Sequence, residues 1–435
     1  MTILEKYIEK YAASRRGKFV SQTTTHEVDG KTTYKHIPET KIPVFPVLSF
    51  SSLFTFFQNK PKNVLDHGYP DIPVTAARYA IAHALKHMNM AADDEILIPA
   101  YHCTVMVAPI VTMGGKPIFY KITANLDTDL VDIRKKITPK TKAIIAVNYC
   151  GFIQNMAEVR ALCTEKNIIL IEDCAHSFFG QKNGVTVGGH GDYILVSARK
   201  FFPVDEGGVL LINGSAENIP QQEKQKFIYS LKSFLALIER SLKYGRLWLL
   251  APLVELFNFL RSATKNVGKV PETEPSVHVD PIDTPSDPDV VQEGENAYNH
   301  NLRDKEATFI NILLPKILNT TTITKRRRNH YLWLSAQFKK MPHCRLMIEE
   351  LPEGIVPFML PVYIENLEKY FSAFEDAAIP MQRFAQFLWP DMAENICPIT
   401  ADYSKNVILF PCHQELSQQD LDWLASTVHN ILAQE

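Results

Sequence analysis

The sequence predicts an α/β fold: a mixed, mostly parallel sheet covered by helices on both faces, with a small C-terminal α/β domain after it. Two observations carry this prediction. From about Thr75, helical segments alternate with short, continuously apolar segments such as Ile96 to Ile98, a pattern typical of parallel strands buried on both faces. The length of 435 residues exceeds the usual size of one core, which favours two domains or one large domain with a satellite.

The predicted elements of the large domain follow one another along the chain. They are a helix from Ala76 to Met88, a strand from Glu95 to Pro99, a helix, a strand from Pro117 to Ile122, a helix, a strand from Ala143 to Val147, a helix from Met156 to Lys166 and a strand from Ile168 to Ile171. The next strands, Tyr193 to Ser197 and Gly208 to Ile212, lie closer together and follow a hairpin dipeptide, Asn183-Gly184. This closer spacing predicts a mixed sheet.

Changes in composition divide the chain into four parts. These are an N-terminal extension (1–70), a large domain (71–215), an apolar and basic insertion that ends in a Pro-rich linker (216–295) and a small C-terminal domain (296–435). The small domain is predicted to contain a helix to Leu318, a basic helix from Lys325 to Lys339, strands from Pro357 to Ile364 and from Val407 to Phe410, and a closing helix that starts at Ser417.

The apolar part of the insertion, residues 227–261, has two interpretations. One is a helical pair that packs on the protein body or on a partner subunit. The other is peripheral contact with an anionic membrane, because basic residues punctuate its apolar side chains, namely Lys232, Arg240, Lys243, Arg246 and Arg261. The longest apolar run, Leu247 to Val254, is far shorter than the roughly 20 residues that span a bilayer. We therefore expect no membrane crossing.

Composition excludes several classes of function. The formal net charge of -2 gives no reason to expect a nucleic-acid partner, and the basic run Lys325 to Arg328 is interpreted as a solvated helix face. The seven cysteines are scattered without metal-ligand spacing, which predicts a reduced, cytoplasmic chain and no metal site. The first ten residues lack the uninterrupted apolar core of a signal peptide.

Lys200 is the candidate catalytic residue. It stands three residues after Ser197 and six before Glu206-Gly207-Gly208, while Asp173 and His176 follow an apolar strand upstream. A lysine amine can form an imine with an aldehyde cofactor, and a carboxylate placed opposite can keep a pyridine nitrogen protonated. Ligands of such sheets bind beyond the carboxyl ends of the strands, where Asp173 and Ser197 are expected. The pattern predicts a pyridoxal phosphate (PLP) enzyme.

Each of these residues also has a structural interpretation. A single lysine is usually a solvated surface group. An acid at a strand end such as Asp173 is often a turn or capping residue. A lone histidine such as His176, near an apolar stretch, is often a hydrogen-bonded core residue. The functional interpretation therefore depends on their combined spacing.

On these residues the chain resembles the fold type I PLP aminotransferases, and within them the DegT-type (nucleotide-sugar) aminotransferase family. The resemblance covers roughly residues 75–212 and 296–432. The matching segments are Ala77 to Ile81, Asp93 to Tyr101, Thr141 to Val147, Glu172 to His176, the lysine motif, Asn301 to Ala307 and Val407 to His413.

The resemblance implies roles for particular residues. Lys200 would bind the cofactor covalently, Asp173 would pair with its ring nitrogen and His176 would face its phenolic oxygen. Ser197 and the amides near Arg78 and Tyr79 would hold the phosphate. Asn301 aligns with a family asparagine that reaches the neighbouring subunit's cofactor, which implies a homodimer with shared sites, and Arg303 is a candidate for the substrate's phosphates.

The chain departs from the family pattern at three places. The small Gly-Thr-Ala phosphate turn is Ala77-Arg78-Tyr79 here, and the family serine commonly lies five residues before the lysine instead of three. The family aromatic that stacks on the cofactor ring falls near Cys103, which leaves Tyr101 or His102 as substitutes. Tyr101 and Cys103 are accordingly candidate cofactor contacts, and His102 is a candidate substrate contact.

The implied function is transfer of an amino group from an amino acid, such as glutamate or glutamine, to a keto sugar carried on a nucleotide, for polysaccharide or glycoconjugate biosynthesis. An alternative is a PLP-dependent sugar dehydratase of the same family, but those enzymes replace the lysine with histidine, so Lys200 argues against it. Another is a non-catalytic membrane-surface or regulatory protein on a degenerate aminotransferase fold.

Overall fold

A computed structural model describes residues 22–28, 31–38, 40–53, 60–215, 217, 219, 221–254, 298–389 and 396–434. Three features of the sequence analysis lie outside these ranges. They are the N-terminal residues compared with a signal peptide, Arg261 of the insertion, and the Pro-rich linker.

The N-terminal extension contains an antiparallel pair of strands and one short helix. These elements are β1 (Gln22–Val28), β2 (Lys31–Ile37) and α1 (Phe50–Leu53). Between the strands and the helix, Ile42, Phe45 and Leu48 are buried in the main hydrophobic core. Residues 42–48 of the extension are thus an integral part of the packed structure.

A seven-stranded mixed sheet forms the centre of the large domain. Its strands are β3 (Asp71–Val74), β4 (Glu95–Pro99), β5 (Lys116–Tyr120), β6 (Thr141–Val147), β7 (Ile169–Cys174), β10 (Tyr193–Ser197) and β11 (Gly208–Ile212). They lie in the order β3-β11-β10-β7-β6-β4-β5. Strands β5, β4, β6, β7 and β10 are parallel, and β11 is antiparallel to both of its neighbours, which confirms the predicted mixed sheet.

Helices cover both faces of this sheet. They are α2 (Ala77–His87), α3 (Thr104–Thr112), α4 (Leu130–Lys136) and α5 (Met156–Lys166). Alternate residues of β6 enter different cores: Ile144 packs with Val159 and Leu162 of α5, whereas Ile145 belongs to the cluster on the other face. Burial on both faces explains why the strands are continuously apolar.

Two local predictions can be compared directly with the structure. The Asn183-Gly184 turn joins β8 (Gln181–Lys182) to β9 (Val185–Thr186), and both turn residues have positive φ as this type of turn requires. Strand β7 is longer than expected and continues to Cys174, so Asp173 lies within the strand and not after it.

The insertion and the small domain complete the chain. The helices are α6 (Phe227–Lys243), α7 (His300–Arg303), α8 (Phe309–Ile317), α9 (Thr320–Phe338), α10 (Leu367–Asp376), α11 (Pro398–Asn406) and α12 (Gln418–Leu432). Strands β12 (Cys344–Leu346), β13 (Met359–Ile364) and β14 (Val407–Pro411) form an antiparallel sheet. Ser417 caps α12 with the expected capping box. Within the described ranges, no helix combines the length and apolar character needed to cross a bilayer.

The basic run from Lys325 to Arg328 is not a uniformly solvated helix face. Arg327 is fully buried, together with Ile323 and Tyr331 on the same side of α9. Residues four apart lie on one face of a helix, so position 327 falls within the buried stripe. The four consecutive basic residues concealed this periodicity.

Candidate active site

The parallel strands bring two of the predicted site residues to one edge of the sheet. Asp173 of β7 is in register with Leu195 of β10 on one side and with Val147 of β6 on the other. Lys200 follows the end of β10 in a single 3-10 turn, Ala198–Lys200. The backbone N–H of Ala198 donates to the carbonyl of Gly207 at 2.7 Å, which fixes this turn against the Gly-Gly segment.

The Lys200 amine lies in a desolvated environment. Burial lowers the pKa of Lys200 to about 8, and the negative charge of Asp173 only partly opposes this effect. Its Nζ lies 5.5 Å from the centroid of the Phe358 ring. Within the described residues, no salt bridge within 4 Å joins Lys200 to Asp173. The amine is therefore a better nucleophile near neutral pH than an ordinary lysine.

Asp173 is a buried carboxylate with one strong protein contact. Its Oδ1 accepts a 2.8 Å hydrogen bond from the backbone N–H of Ala175. Burial raises the pKa of Asp173, while the Ala175 N–H and the Lys200 charge oppose the rise. The preceding residue, Glu172, points to the opposite face and accepts hydrogen bonds from three backbone N–H groups, those of Gly188, His190 and Gly191. These bonds hold the end of β7 in place.

His176 lies between two aromatic rings of the small domain. The centroid of its ring is 5.0 Å from that of Phe358 and 5.1 Å from that of Phe384. Burial lowers the pKa of His176 well below its usual value, and Lys200 adds to this effect. The backbone N–H of Cys150 donates to Nδ1 at 3.4 Å. A neutral ring that accepts at Nδ1 carries its proton on Nε2, so His176 can donate a hydrogen bond to an anionic oxygen.

A second cluster lies beside the lysine turn, at the start of α2. Ser197 is paired with Gly208 across β10 and β11, and Gly208 is paired with Val74 of β3. The next residue, Thr75, has a buried Oγ1 with no hydrogen-bond partner among the described residues. Ala76 precedes α2 and provides no side-chain cap for it. An uncapped helix N-terminus with nearby hydroxyls is suited to a phosphate.

These two clusters fit PLP. An amine of lowered pKa, a buried carboxylate and a neutral imidazole lie at the strand ends, and a potential phosphate cradle lies beside them. Thr75 was not among the predicted site residues, because the resemblance pointed to the altered turn Ala77-Arg78-Tyr79 and Thr75 lies two positions before α2. The available signal in the sequence was a hydroxyl residue just before a helix whose N-cap position is alanine.

Other predicted cofactor contacts lie around these clusters. Arg78 is half-buried in the first turn of α2. Tyr79 is buried, and its hydroxyl accepts from the backbone N–H of Asn299 at 3.4 Å. Cys103 is half-buried before α3, and it interacts electrostatically with Lys200. Tyr101 is buried with its ring against Phe384, the centroids 5.1 Å apart.

His102 is placed differently from its predicted role in substrate binding. The side chain is fully buried and stacks on Phe119. Its Nδ1 bonds the carbonyl of Ala100 at 2.7 Å, and its Nε2 accepts from the backbone N–H of Trp389 at 3.1 Å. Burial lowers the pKa of His102 to about 4. Since backbone groups occupy both ring nitrogens, the arrangement favours a role in holding the Trp389 loop.

Asn301 and Arg303 lie on α7, outside the lysine cluster. Asn301 is exposed, and Arg303 is half-exposed with its guanidinium paired to Asp304 at 2.6 Å. The carbonyl of Arg303 contacts Nε2 of His83 at 2.8 Å, which anchors α7 to α2. The structure thus attaches the Asn301 segment to the helix that begins at the candidate phosphate cradle. Within the described residues, no cluster of three or more histidine, cysteine or acidic side chains could hold a metal ion.

The fold is that of known aminotransferases. The solved structure of PseC from Helicobacter pylori, an aminotransferase involved in the biosynthesis of pseudoaminic acid, superposes with a TM-score of 0.57 and 16% identity. The match covers 85% of this chain and 89% of PseC. The likeness shows that this chain has the α/β fold of that enzyme.

Sequence comparisons show a family similarity in the part of the chain that carries the candidate site. Residues 67–222 match the model of the DegT/DnrJ/EryC1/StrS aminotransferase family. The GDP-perosamine synthase of Vibrio cholerae is 32% identical over 143 residues, which span 32% of this chain and 39% of that protein. The UDP-N-acetyl-3-dehydro-alpha-D-glucosamine 3-aminotransferase of Acidithiobacillus ferrooxidans is 30% identical over 125 residues, 28% of this chain and 33% of that protein. Residues 67–222 are therefore similar to this family, and the chain spans between a third and two fifths of the length of these two relatives.

Proposed function

We propose that this protein is a PLP-dependent aminotransferase that moves an amino group from an amino acid donor to a keto sugar. The observation that carries the proposal is the placement of Lys200, with its lowered pKa, beside the buried Asp173 at the carboxyl ends of adjacent parallel strands. The buried, unpartnered hydroxyl of Thr75 at the start of α2 supports a phosphorylated cofactor.

Each side chain has a distinct task in this reaction. When bound, PLP supplies an electron-accepting ring that stabilises negative charge at the substrate carbon. The unprotonated amine of Lys200 takes a proton from the α-carbon of the donor and later delivers one to the acceptor carbon. Asp173 holds a proton on the ring nitrogen, and His176 donates from Nε2 to the phenolic oxygen. The aromatic walls Phe358 and Phe384 exclude water.

The proposed acceptor is a keto sugar carried on a nucleotide. Two matched relatives bear names that specify GDP- and UDP-linked sugars, although the matches span 39% and 33% of their lengths. Arg303 is the proposed contact for the nucleotide's phosphates, through exchange of its surface pair with Asp304. Glutamate or glutamine is the proposed donor, and the products would enter polysaccharide or glycoconjugate synthesis.

The proposed assembly is a homodimer. Asn301 is exposed, and the contact between Arg303 and His83 holds its segment near α2. This exposed position supports contact between Asn301 and a neighbouring subunit.

The proposed compartment is the cytoplasm. The free thiols of all seven cysteines support a reducing compartment of this kind. Peripheral contact with the inner membrane face is also proposed, and it is supported by the exposed apolar start of α6, which contains Phe227, Ile228 and Leu231.

The test begins with the colour of the purified full chain. After incubation with PLP and removal of free cofactor, the wild-type protein should be yellow, and borohydride should fix the cofactor to the peptide that contains Lys200. Lys200→Ala should stay colourless, whereas Lys116→Ala, which alters an exposed pair with Asp93, should resemble the wild type. Amino donors should then bleach the colour, and nucleotide-linked keto sugars should restore it. A wild-type chain that ignores PLP would favour the non-catalytic alternative.

A further inference from the structure

Arg327 connects the small domain to the backbone of the candidate catalytic lysine. Its side chain is fully buried on α9, although it carries a guanidinium. Nη2 donates to the carbonyl of Lys200 at 2.9 Å and lies 3.5 Å from that of Phe201. The guanidinium also lies 4.6 Å from the centroid of the Phe201 ring. Residues 200 and 201 are thus held from the small-domain side.

The same guanidinium holds the aromatic wall of the site. Nη1 donates to the carbonyl of Phe358 at 3.0 Å and to that of Pro357 at 3.3 Å. The Phe358 ring is the one that lies against the Lys200 amine and against His176. One planar group therefore fixes both the main chain that carries the amine and the surface on which the amine rests.

Gln414 extends this arrangement to a third segment. Nε of Arg327 donates to Oε1 of Gln414 at 2.9 Å, and Nε2 of Gln414 donates to the Phe201 carbonyl at 3.0 Å. The fork of donors on arginine suits such multiple contacts, whereas a lysine ammonium at the same place could satisfy only part of them.

Stability alone is a poor explanation for this buried cation. Among the described residues, its hydrogen bonds go to carbonyl and amide oxygens and to no carboxylate. Burial lowers the pKa of Arg327 to about 10, although the charge of Glu415 partly opposes this effect. Burial of an ion costs several kcal/mol, and apolar residues of similar volume often replace buried ions without loss of stability. The contacts point instead to a requirement for geometry at residues 200 and 358.

We propose that Arg327 is a positioning residue that sets the Lys200 main chain and the Phe358 ring at a fixed separation, so that the lysine amine meets the cofactor aldehyde in the correct place. This inference rests on the proposed PLP chemistry. It concerns a residue whose hydrogen bonds go to the main chain at residues 200, 201, 357 and 358 and to the side chain of Gln414, and which therefore acts on the amine through these segments.

The experiment measures how fast the apoprotein condenses with PLP, followed by absorbance over a range of pH. Arg327→Lys and Arg327→Gln are compared with Arg328→Gln. Arg328 is the matched control, since it lies on the same helix and also donates to backbone carbonyls, those of Pro352 and Ile355, away from the lysine. Thermal unfolding and circular dichroism establish that each variant is folded.

The midpoint of the pH profile reports on the surroundings of Lys200. The charged or titratable groups that interact with its amine are Asp173 of β7, Cys103 before α3, Cys150 of the turn after β6, His176, and its neighbour Arg199. None of these is changed in the variants. Arg327→Lys also keeps the positive charge at position 327, whereas Arg327→Gln removes it, so a shifted midpoint in Arg327→Lys would arise from altered position or hydration of Lys200.

We expect folded Arg327→Lys and Arg327→Gln to condense with PLP at least about tenfold more slowly, with the midpoint shifted upward as the amine gains water, while Arg328→Gln matches the wild type. Wild-type rates and midpoints in folded Arg327 variants would overturn the proposal. If both Arg327 variants fail to fold, Gln414→Asn replaces them, because it shortens the link to the Phe201 carbonyl. The midpoint of its pH profile should shift upward by a smaller amount, and an unchanged pH profile would overturn the proposal. Failure of the wild type itself to bind PLP would instead reject the proposed function.

Discussion

Gly208 lies so close to Ala76 that a Cβ atom on it would come within 2.4 Å of the Ala76 carbonyl carbon. The neighbouring atoms are backbone and cannot turn away, so a side chain would push β11 from the start of α2. We expect Gly208→Ala to lower the free energy of unfolding by about 1–3 kcal/mol or more and to weaken PLP binding, measured by urea unfolding and by titration. Gly214→Ala, where a Cβ meets open space, should change stability by less than about 0.5 kcal/mol. Equal stability of the two variants would contradict this close approach.

The buried hydroxyl of Thr75 provides a test of the phosphate cradle. Thr75→Val removes only the unpartnered Oγ1, so the apoprotein should be as stable as the wild type or slightly more stable. PLP should bind about tenfold more weakly, because a hydrogen bond to a charged group contributes about 1.5–3 kcal/mol, while pyridoxal, which lacks the phosphate, should bind as before. Thr400 has a similarly buried and unpartnered hydroxyl on α11, so Thr400→Val is the matched control. If Thr75→Val weakens the binding of PLP and of pyridoxal by the same factor, Thr75 does not contact the phosphate.

Local sequence patterns predicted much of the fold. Helix α5 has the predicted bounds, and the Asn183-Gly184 turn and the Ser417 cap form because short-range rules determine them. The pairing of β3 with β11 depends on residues about 140 positions apart, and no short-range pattern specifies it. The register of Ser197 against Gly208 belongs to a different pairing, that of β10 with β11, which are close together in the chain.

The candidate site was predicted only in part. Lys200 and Asp173 were found because their chemistry and spacing are visible in the sequence. Asp173 lies near the end of β7 and Lys200 follows β10, and these two strands are parallel neighbours in the mixed sheet. Phe358, Phe384 and Arg327 come from the small domain, more than 120 residues further along than the lysine in the case of Arg327. Their proximity results from the packing of segments that are far apart in the chain, and Arg327 was further concealed within a basic run.

The start of α6 presents an apolar surface with basic neighbours. The exposed fractions of Phe227, Ile228 and Leu231 are 77%, 50% and 40%, and the exposed Lys224, Lys226 and Lys232 surround them. The other side of the helix is buried through Leu237, Ile238 and Leu242. This arrangement combines packing on the protein body with a free surface suited to anionic lipid.

We expect the wild-type protein to sediment with liposomes that contain anionic lipid and to remain in the supernatant with neutral ones. Replacement of Phe227, Ile228 and Leu231 by serine should reduce the bound fraction at least about fivefold. Val131→Ser, which removes an exposed apolar side chain on α4, is the control and should have no effect. If the wild type, the triple serine variant and Val131→Ser are recovered equally in the liposome pellet, the interpretation that this surface binds another protein is favoured.

The lowered pKa of Lys200 makes stability depend on pH in a predictable direction. Burial lowers this pKa to about 8 from the ordinary value of 10.5. Between these two pH values the unfolded chain holds a proton that the folded chain lacks, so the free energy of unfolding rises with pH across this window.

Lys200→Met lacks the titrating group, and the apolar side chain has no charge to desolvate. We therefore expect Lys200→Met to be more stable than the wild-type apoprotein below pH 8, by about 3 kcal/mol, because the shift from 10.5 to about 8 corresponds to roughly 1.4 kcal/mol for each pKa unit. The difference should shrink steadily toward pH 10.5. Urea unfolding of both proteins from pH 7 to 10.5 measures it, and parallel curves would show that the amine is not desolvated in the folded protein.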